Sequence, residues 1–175
     1  MLFRSHPLEA KGAGWAAATR QFMKLTRATD LDADARGRLY AASWDGASFT
    51  YAGPNVGYVI GLTTRGRTAP AVPDFKRLDD RALAARVGDG SGVIRLAAQR
   101  ELLTRGPRPG VAEELQRIAA TDTNVGARVA AVFTLRLLLG AEAQPALLAL
   151  TERPGVREFA LKALADDTRW LATVP

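Results

Sequence analysis

The sequence predicts an α+β protein in two parts: an antiparallel β-meander over residues 1–67, a proline-containing linker at 68–77 and three helical hairpins over 78–175. Residues 1–66 are rich in glycine, threonine and aromatic side chains, whereas residues 78–171 are dominated by alanine, leucine and arginine. In the second part an arginine, an alanine and a leucine recur at one fixed spacing, in copies 33 and 29 residues apart. Such a period is typical of stacked helical repeats. The recurring residues are Arg95, Ala98, Leu102, Arg128, Ala131, Leu135, Arg157, Ala160 and Leu164.

Strands are predicted where β-branched and aromatic residues lie between turn residues. The clearest segments are 38–44 and 57–63. Asp45 and Gly46 supply a turn before a strand at 48–51, and residues 53–55 make the next break. Further strand candidates lie at 2–4 and 15–17, while 19–25 fits either a strand or a helical turn. Together these segments predict a β-meander with short hairpins.

The linker is predicted from Pro70 and Pro73, because each proline fixes its own φ and moves the preceding residue out of the helical region. Beyond it, apolar stripes at helical spacing predict hairpins at about 78–106, 107–140 and 141–172. Gly88, Gly106 and Gly140 mark helix ends, and Pro145 lies near a helix start.

The repeated alanine has a packing reason, because adjacent helices approach to about 8–10 Å and a large side chain at the crossing would hold them apart. The leucine one turn later fills the groove between helices. Since burying a leucine contributes about 1.5–3 kcal/mol, stability is expected to come from stacked hairpins rather than from any one of them.

Composition excludes several chemistries. The sequence contains no cysteine, so it has no disulfide, no thiolate zinc site, no iron–sulfur cluster and no cysteine-attached haem. No apolar run is long enough to span a membrane, and the N-terminal residues lack the apolar core of a secretory signal. The compartment is therefore left open.

The net charge of +6 raises the question of nucleic-acid binding. Four of the 24 basic residues are lysines, and the remaining arginines are scattered among aspartate and glutamate rather than clustered. That distribution argues against a nucleic-acid site, because net charge by itself promotes only non-specific association.

An acidic residue near each predicted inter-helix turn accompanies the repeated arginines: Asp89, Asp122 and Glu152. One interpretation is a ladder that binds anions. The favoured interpretation is structural, with the acids capping or buttressing the turns and the arginines bonding carbonyls or acids of the neighbouring repeat.

Asp30, Asp32 and Asp34 alternate as the first ligands of a calcium loop do. The rest of that loop is missing, because glycine comes at the eighth place and Ala41 stands at the twelfth. An aspartate-rich turn leading into the next strand is the favoured interpretation, and the three carboxylates remain a metal candidate.

No catalytic constellation is found. His6 is the single histidine and lies near the chain end, where a solvent-facing position is expected. The sequence has neither a nucleophile elbow nor a glycine-rich phosphate loop. Trp44, Phe49 and Tyr51 suggest a stacking platform, although aromatic side chains on strands more often pack against other side chains.

Residues 29–40, followed by 43–46 and 57–60, resemble the closing blade of a six-bladed β-propeller. The similarity is to large exported proteins of the PVC-type membrane-bound dehydrogenase or haem-binding domain-containing family. Residues 96–106 resemble the first HEAT repeat that follows the propeller in that family, and the order of blade, proline segment and repeats is also similar.

The resemblance implies a sugar- or alcohol-oxidising parent whose reactive residues would lie in blades that this sequence does not contain. The Cys-x-x-Cys-His motif of the family's cytochrome domain is also missing. We therefore transfer no catalytic, haem-binding or other cofactor-binding position to this chain. The family's exported members imply a periplasmic setting for the parent.

We expect a non-catalytic scaffolding or protein-interaction module built on HEAT-like repeats, a fragment or truncated homologue of the larger protein. Its partner would be another protein or the remaining parts of the parent. The alternatives are the C-terminal portion of a quinone- or haem-dependent sugar or alcohol dehydrogenase, and a nucleic-acid-binding helical array.

Overall fold

A computed structural model of the chain describes residues 2–11, 14–44, 56–66, 68 and 71–166. It divides the chain into two units, Met1–Ala71 and Val72–Pro175. Over the described residues the first unit contains seven β-strands and the second six α-helices, which confirms the α+β class. The boundary between the units falls within the predicted linker.

The first four strands form one long antiparallel hairpin. β1 pairs with β4 and β2 with β3, and the register from Ser5↔Arg20 to Leu8↔Ala17 is continuous. Pro7 interrupts the ladder because it has no N–H, yet its carbonyl accepts a hydrogen bond from Ala18 N at 3.2 Å. The strands are β1 (Leu2–Ser5), β2 (Leu8–Lys11), β3 (Gly14–Ala17) and β4 (Arg20–Lys24).

The candidate strands at 2–4 and 15–17 are confirmed, and 19–25 is a strand rather than a helical turn. β2 was not predicted, because its leucine, glutamate, alanine and lysine all favour helices. It is extended because β3 supplies partners for its backbone.

The next three strands form a separate antiparallel meander in the order β5–β6–β7. They are β5 (Asp30–Ala33), β6 (Leu39–Trp44) and β7 (Gly57–Leu62). β6 and β7 confirm the strands predicted at 38–44 and 57–63. The predicted turn at 45–46, the strand at 48–51 and the break at 53–55 lie outside the described residues.

β5 corrects the predicted aspartate-rich turn. Asp30 and Asp32 lie on the strand, where they alternate with less polar residues and pair through the backbone with β6. The turn begins only at Asp34, whose Oδ1 accepts hydrogen bonds from Arg36 N and Arg38 N, both at 2.9 Å. Its carboxylate thus satisfies the backbone of the turn between β5 and β6.

The helical unit has two layers. α1, α3 and α5 contact one another in sequence order, as do α2, α4 and α6, which we call the second helices, and each odd-numbered helix forms a hairpin with the next. Ala98, Ala131 and Ala160 are fully buried, which confirms the predicted alanine seam. The helices are α1 (Asp80–Ala85), α2 (Gly92–Arg105), α3 (Val111–Thr121), α4 (Val125–Leu139), α5 (Gln144–Thr151) and α6 (Arg157–Ala165).

Side-chain caps fix the starts of three helices. Asp79, Ser91 and Asn124 accept backbone hydrogen bonds at the first turns of α1, α2 and α4. Gly106 and Gly140 follow α2 and α4 with φ of 75° and 57°, so these two glycine stops are confirmed in a region that other residues avoid.

Two boundaries differ from the prediction. Gly88 is expected to end the first helix. α1 ends at Ala85 instead, and Arg86–Gly88 forms a short 3-10 helix. Part of the predicted linker is folded as well: Phe75–Arg77 forms a 3-10 helix, and Phe75 packs against the helical core. The last residues of the third hairpin, beyond 166, lie outside the described part of the chain.

Candidate functional site

Each repeated arginine lies in the first turn of a second helix and donates to main-chain carbonyls at the end of the preceding helix or in the turn after it. Those carbonyls lack helical partners and carry partial negative charge, so a guanidinium satisfies them well. The bonds run from Arg95 Nη1 to the carbonyls of Asp89 (2.7 Å) and Gly90 (3.1 Å), from Arg128 Nε to Ala119 (2.8 Å), and from Arg157 Nε to Thr151 (2.7 Å).

These carbonyls belong to the same hairpin as the arginine, which corrects the expectation that the arginines bond the neighbouring repeat. The reason is geometric: the tight connection between the two helices of a hairpin brings the end of the first helix beside the start of the second. All three arginines direct a donor at a carbonyl, which favours the structural interpretation over a row of open anion sites.

The neighbouring hairpin contributes glycine instead. A Cβ on Gly126 would lie 3.0 Å from Arg95 Nη2, and a Cβ on Gly155 would overlap Arg128 Nη1. Both glycines stand two residues before the next repeated arginine. Each guanidinium therefore occupies the space that a side chain on the following hairpin would need, and this contact links adjacent hairpins.

The turn acids behave alike in two hairpins. Asp89 Oδ1 accepts from Ser91 N at 2.8 Å, and Asp122 Oδ1 accepts from Asn124 N at 2.7 Å. Glu152 cannot make the equivalent bond, because the residue two places later is Pro154, which has no N–H. The third acid, which is exposed, therefore lacks the capping bond that the other two make.

The surfaces of the two layers differ in character. In the described helical unit, the exposed large apolar side chains that lie on helices are all on the second helices, and α1, α3 and α5 carry none of them. A one-sided distribution of exposed apolar side chains favours an interaction site on that side. The side chains and their exposed fractions are Val93 (39%), Leu96 (45%), Leu103 (36%), Leu137 (56%) and Leu161 (52%).

A groove of about 450 Å³ adjoins this surface, between residues 72–76 and α2. Val72, Pro73, Phe75 and Ala97 supply its apolar lining, and Lys76 and Arg100 its cationic groups. We call it the α2 groove. Its size is within the range of small-ligand and peptide side-chain pockets.

Arg105, at the end of α2, holds the segment that forms one wall of the groove. Its Nη2 donates to the carbonyls of Phe75 (2.9 Å) and Lys76 (3.2 Å), and its Nη1 to the carbonyl of Leu78 (2.8 Å). Arg105 also forms two ion pairs, from Nη1 to Asp80 Oδ1 at 2.9 Å and from Nε to Glu101 Oε1 at 3.0 Å. Hydrogen bonds from Arg105 to these two carboxylates, the Asp80 bond foremost, raise the pKa of Arg105 above its usual value.

Sequence reasoning missed Arg105 because it lies outside the repeat register. A hint was available: arginine in the last turn of a helix commonly satisfies nearby carbonyls. The distance of 27 to 30 residues to its carbonyl partners, however, cannot be read from local spacing.

The predicted metal candidates do not converge. Asp30 Oδ1 and Asp32 Oδ1 each accept from the following residue's N–H, at 2.8 and 2.7 Å, and Asp34 serves the turn. Among the described residues no three histidine, aspartate or glutamate side chains are arranged to hold a metal ion.

The structure also describes two of the remaining candidates, His6 and Trp44. His6 is exposed, as expected, and its Nδ1 lies 3.2 Å from Thr19 Oγ1 across the hairpin. Trp44 is half-buried at the end of β6, whereas Phe49 and Tyr51 lie outside the described residues. Within the described ranges, no helix combines the length and hydropathy needed to cross a membrane.

Comparison with known proteins finds no match for this chain among protein-family models, curated proteins or solved structures.

Proposed function

We propose that the chain is a non-catalytic scaffolding or protein-interaction module built on HEAT-like repeats. The surface formed by α2, α4 and α6 would be the side that contacts a protein partner. The single observation that carries the proposal is the asymmetry of the layers, since the exposed large apolar side chains on the described helices all lie on the second helices.

The second helices are also held in fixed relative positions, which suits a binding surface. Gln99 Nε2 on α2 donates to Thr134 Oγ1 on α4 at 3.0 Å, and the Thr134 hydroxyl donates in turn to the carbonyl of Ala130 at 2.6 Å. Together with the contacts between arginine and glycine, this bond supports a pre-organised surface. Pre-organisation lowers the entropic cost of binding.

A site-specific photocrosslink tests the proposal. A photoreactive phenylalanine analogue replaces Leu137 on α4, and a control chain carries it at Gln116, which is exposed on α3. After irradiation in extracts of the native host, we expect protein adducts from position 137 and not from position 116. Equal labelling at both positions, or none at 137, contradicts the proposal.

A second proposal follows from the resemblance: the chain corresponds to the C-terminal portion of a larger quinone- or haem-dependent dehydrogenase. The order of β-sheet, proline segment and helical hairpins supports it. Reading frames adjoining the gene provide the test, because upstream propeller blades or a downstream Cys-x-x-Cys-His motif would be expected, and a neighbourhood without either contradicts it.

The structure offers less support for the nucleic-acid alternative. Arg95, Arg128 and Arg157 direct donors to carbonyls, and Arg105 and Arg117 pair with carboxylates. Phosphate binding depends on available cations and strengthens steeply as salt is lowered. Filter binding to duplex DNA that stays flat at low salt would exclude this alternative.

A further inference from the structure

We propose that the α2 groove binds an acidic peptide segment of the protein partner, with an apolar side chain of the peptide in the groove and carboxylates of the peptide on Lys76 and Arg100. This inference deepens the proposed interaction function and rests on it. It names the chemistry that the partner must present.

The lining of the groove suits an apolar side chain. The groove is open to solvent, and its exposed lining is mostly apolar, with Val72, Pro73, Phe75 and Ala97 among the residues that line it. An aliphatic or aromatic side chain placed there would bury part of its apolar surface against these residues. Burial of apolar surface contributes affinity that the charges alone do not.

The two cationic groups of the groove are available to a ligand. Lys76 and Arg100 are exposed, and within the described residues neither side chain forms an ion pair. Of the two acids of the groove, Asp74 lies 3.4 Å from Arg77 Nε in a solvent-exposed pair, and Glu101 shares Arg105 with Asp80. The two unpaired cations are complementary to carboxylates of a ligand.

The groove is preformed. The Arg105 bonds to the carbonyls of Phe75 and Lys76 hold one wall, and α2 is the other. A peptide would therefore not have to order the wall when it binds. A nucleic acid would use the two cations but leave the apolar lining unmatched, since phosphates and sugars do not fill such a surface.

Selection of short random peptides displayed on phage tests the inference with the full chain as bait. We expect enriched peptides to carry an aliphatic or aromatic residue next to aspartate or glutamate. Synthetic copies are then measured by fluorescence anisotropy against the wild type, Lys76→Glu and Arg100→Glu. Arg108→Glu is the matched control, because it makes the same charge reversal at an exposed site outside the groove.

Each reversal in the groove should weaken binding by about tenfold or more, and Arg108→Glu by much less, because only the groove cations face the peptide. Raising salt should weaken the wild type more than the groove variants. Circular dichroism of all variants should match the wild type, because the substituted side chains are exposed.

Three results would overturn the inference. Enrichment of basic peptides, or of none, contradicts the predicted chemistry. If acidic peptides bind both groove variants as tightly as the wild type but no longer bind Leu137→Glu, the site lies elsewhere on the second helices. The proposed function would then still stand. Displacement of the selected peptides by a single-stranded oligonucleotide at low concentration would assign the cations to nucleic acid instead.

Discussion

Replacing Gly155 with alanine tests whether the repeated arginines couple adjacent hairpins. A Cβ at this position would overlap Arg128 Nη1 and lie 3.1 Å from Arg128 Cζ. The φ of Gly155 lies outside the left-handed region, so the backbone itself accepts alanine. Any loss of stability must therefore come from displacing the guanidinium.

The magnitude follows from what the displaced guanidinium gives up. Arg128 Nε donates to the carbonyl of Ala119 at 2.8 Å, and Nη2 donates to that of Ala120 at 3.4 Å. Hydrogen bonds from charged groups contribute about 1.5–3 kcal/mol, and here the short one dominates. Exchanging glycine for alanine returns about 0.4–1 kcal/mol by restricting the unfolded chain. We expect Gly155→Ala to destabilise the helical unit by about 1–2 kcal/mol.

Urea unfolding followed by helical circular dichroism measures this change, and a double-mutant cycle isolates its cause. In an Arg128→Ala background the obstacle is gone, so Gly155→Ala should become neutral or stabilising by up to about 1 kcal/mol. Gly90→Ala is the matched control, because a Cβ there meets nothing within 4 Å. Equal destabilisation by Gly155→Ala in both backgrounds would refute the coupling.

Four further predictions concern other contacts. Arg105→Lys should speed tryptic cleavage before α1 on the order of tenfold, measured by mass spectrometry, because lysine cannot reach the same carbonyls together. Thr134→Val should cost about 1–2 kcal/mol in urea unfolding, since the inter-helix hydrogen bond loses its acceptor. Leu135→Ala should cost about 2–5 kcal/mol and Leu137→Ala under about 1 kcal/mol, because one leucine is fully buried and the other exposed. Backbone hydrogen bonds from Arg38 and Arg36, with further help from the Tyr40 hydroxyl, hold the pKa of Asp34 below its usual value. The contribution of Asp34 to the turn should therefore be complete above about pH 4 and lost as pH falls through the lowered pKa, and Asp34→Ala should abolish this acid transition in amide NMR spectra.

The helical half was predictable because its signals are periodic and local. Residues such as Ala131 and Leu135 recur at a spacing that only stacked helices explain, and Gly140 ends its helix through a conformation that other residues avoid. The identity of the buried residues follows from the same period. Predicting these features does not require knowing which hairpins are in contact.

Contacts across hairpins were not predictable from the same signals. Arg105 reaches carbonyls 27 to 30 residues away, and the glycines that accommodate Arg95 and Arg128 look like ordinary turn or helix-start glycines in the sequence. The aspartates of Asp30–Ala33 predict a turn because aspartate side chains stabilise turns by bonding their own backbone, whereas pairing with β6 makes this segment a strand. In each case a tertiary partner outweighed the local preference.

The arginine pattern therefore has a different meaning from the one its regularity suggests. A repeated cation invites a repeated ligand, but these guanidinium groups are directed at carbonyls of their own hairpins, and those of Arg95 and Arg128 also pack against a glycine of the next. Lys76 and Arg100, which lie outside the register, are exposed beside apolar surface. Because a binding site needs groups that folding has not already satisfied, we place the proposed peptide site at these irregular positions rather than at the repeated ones.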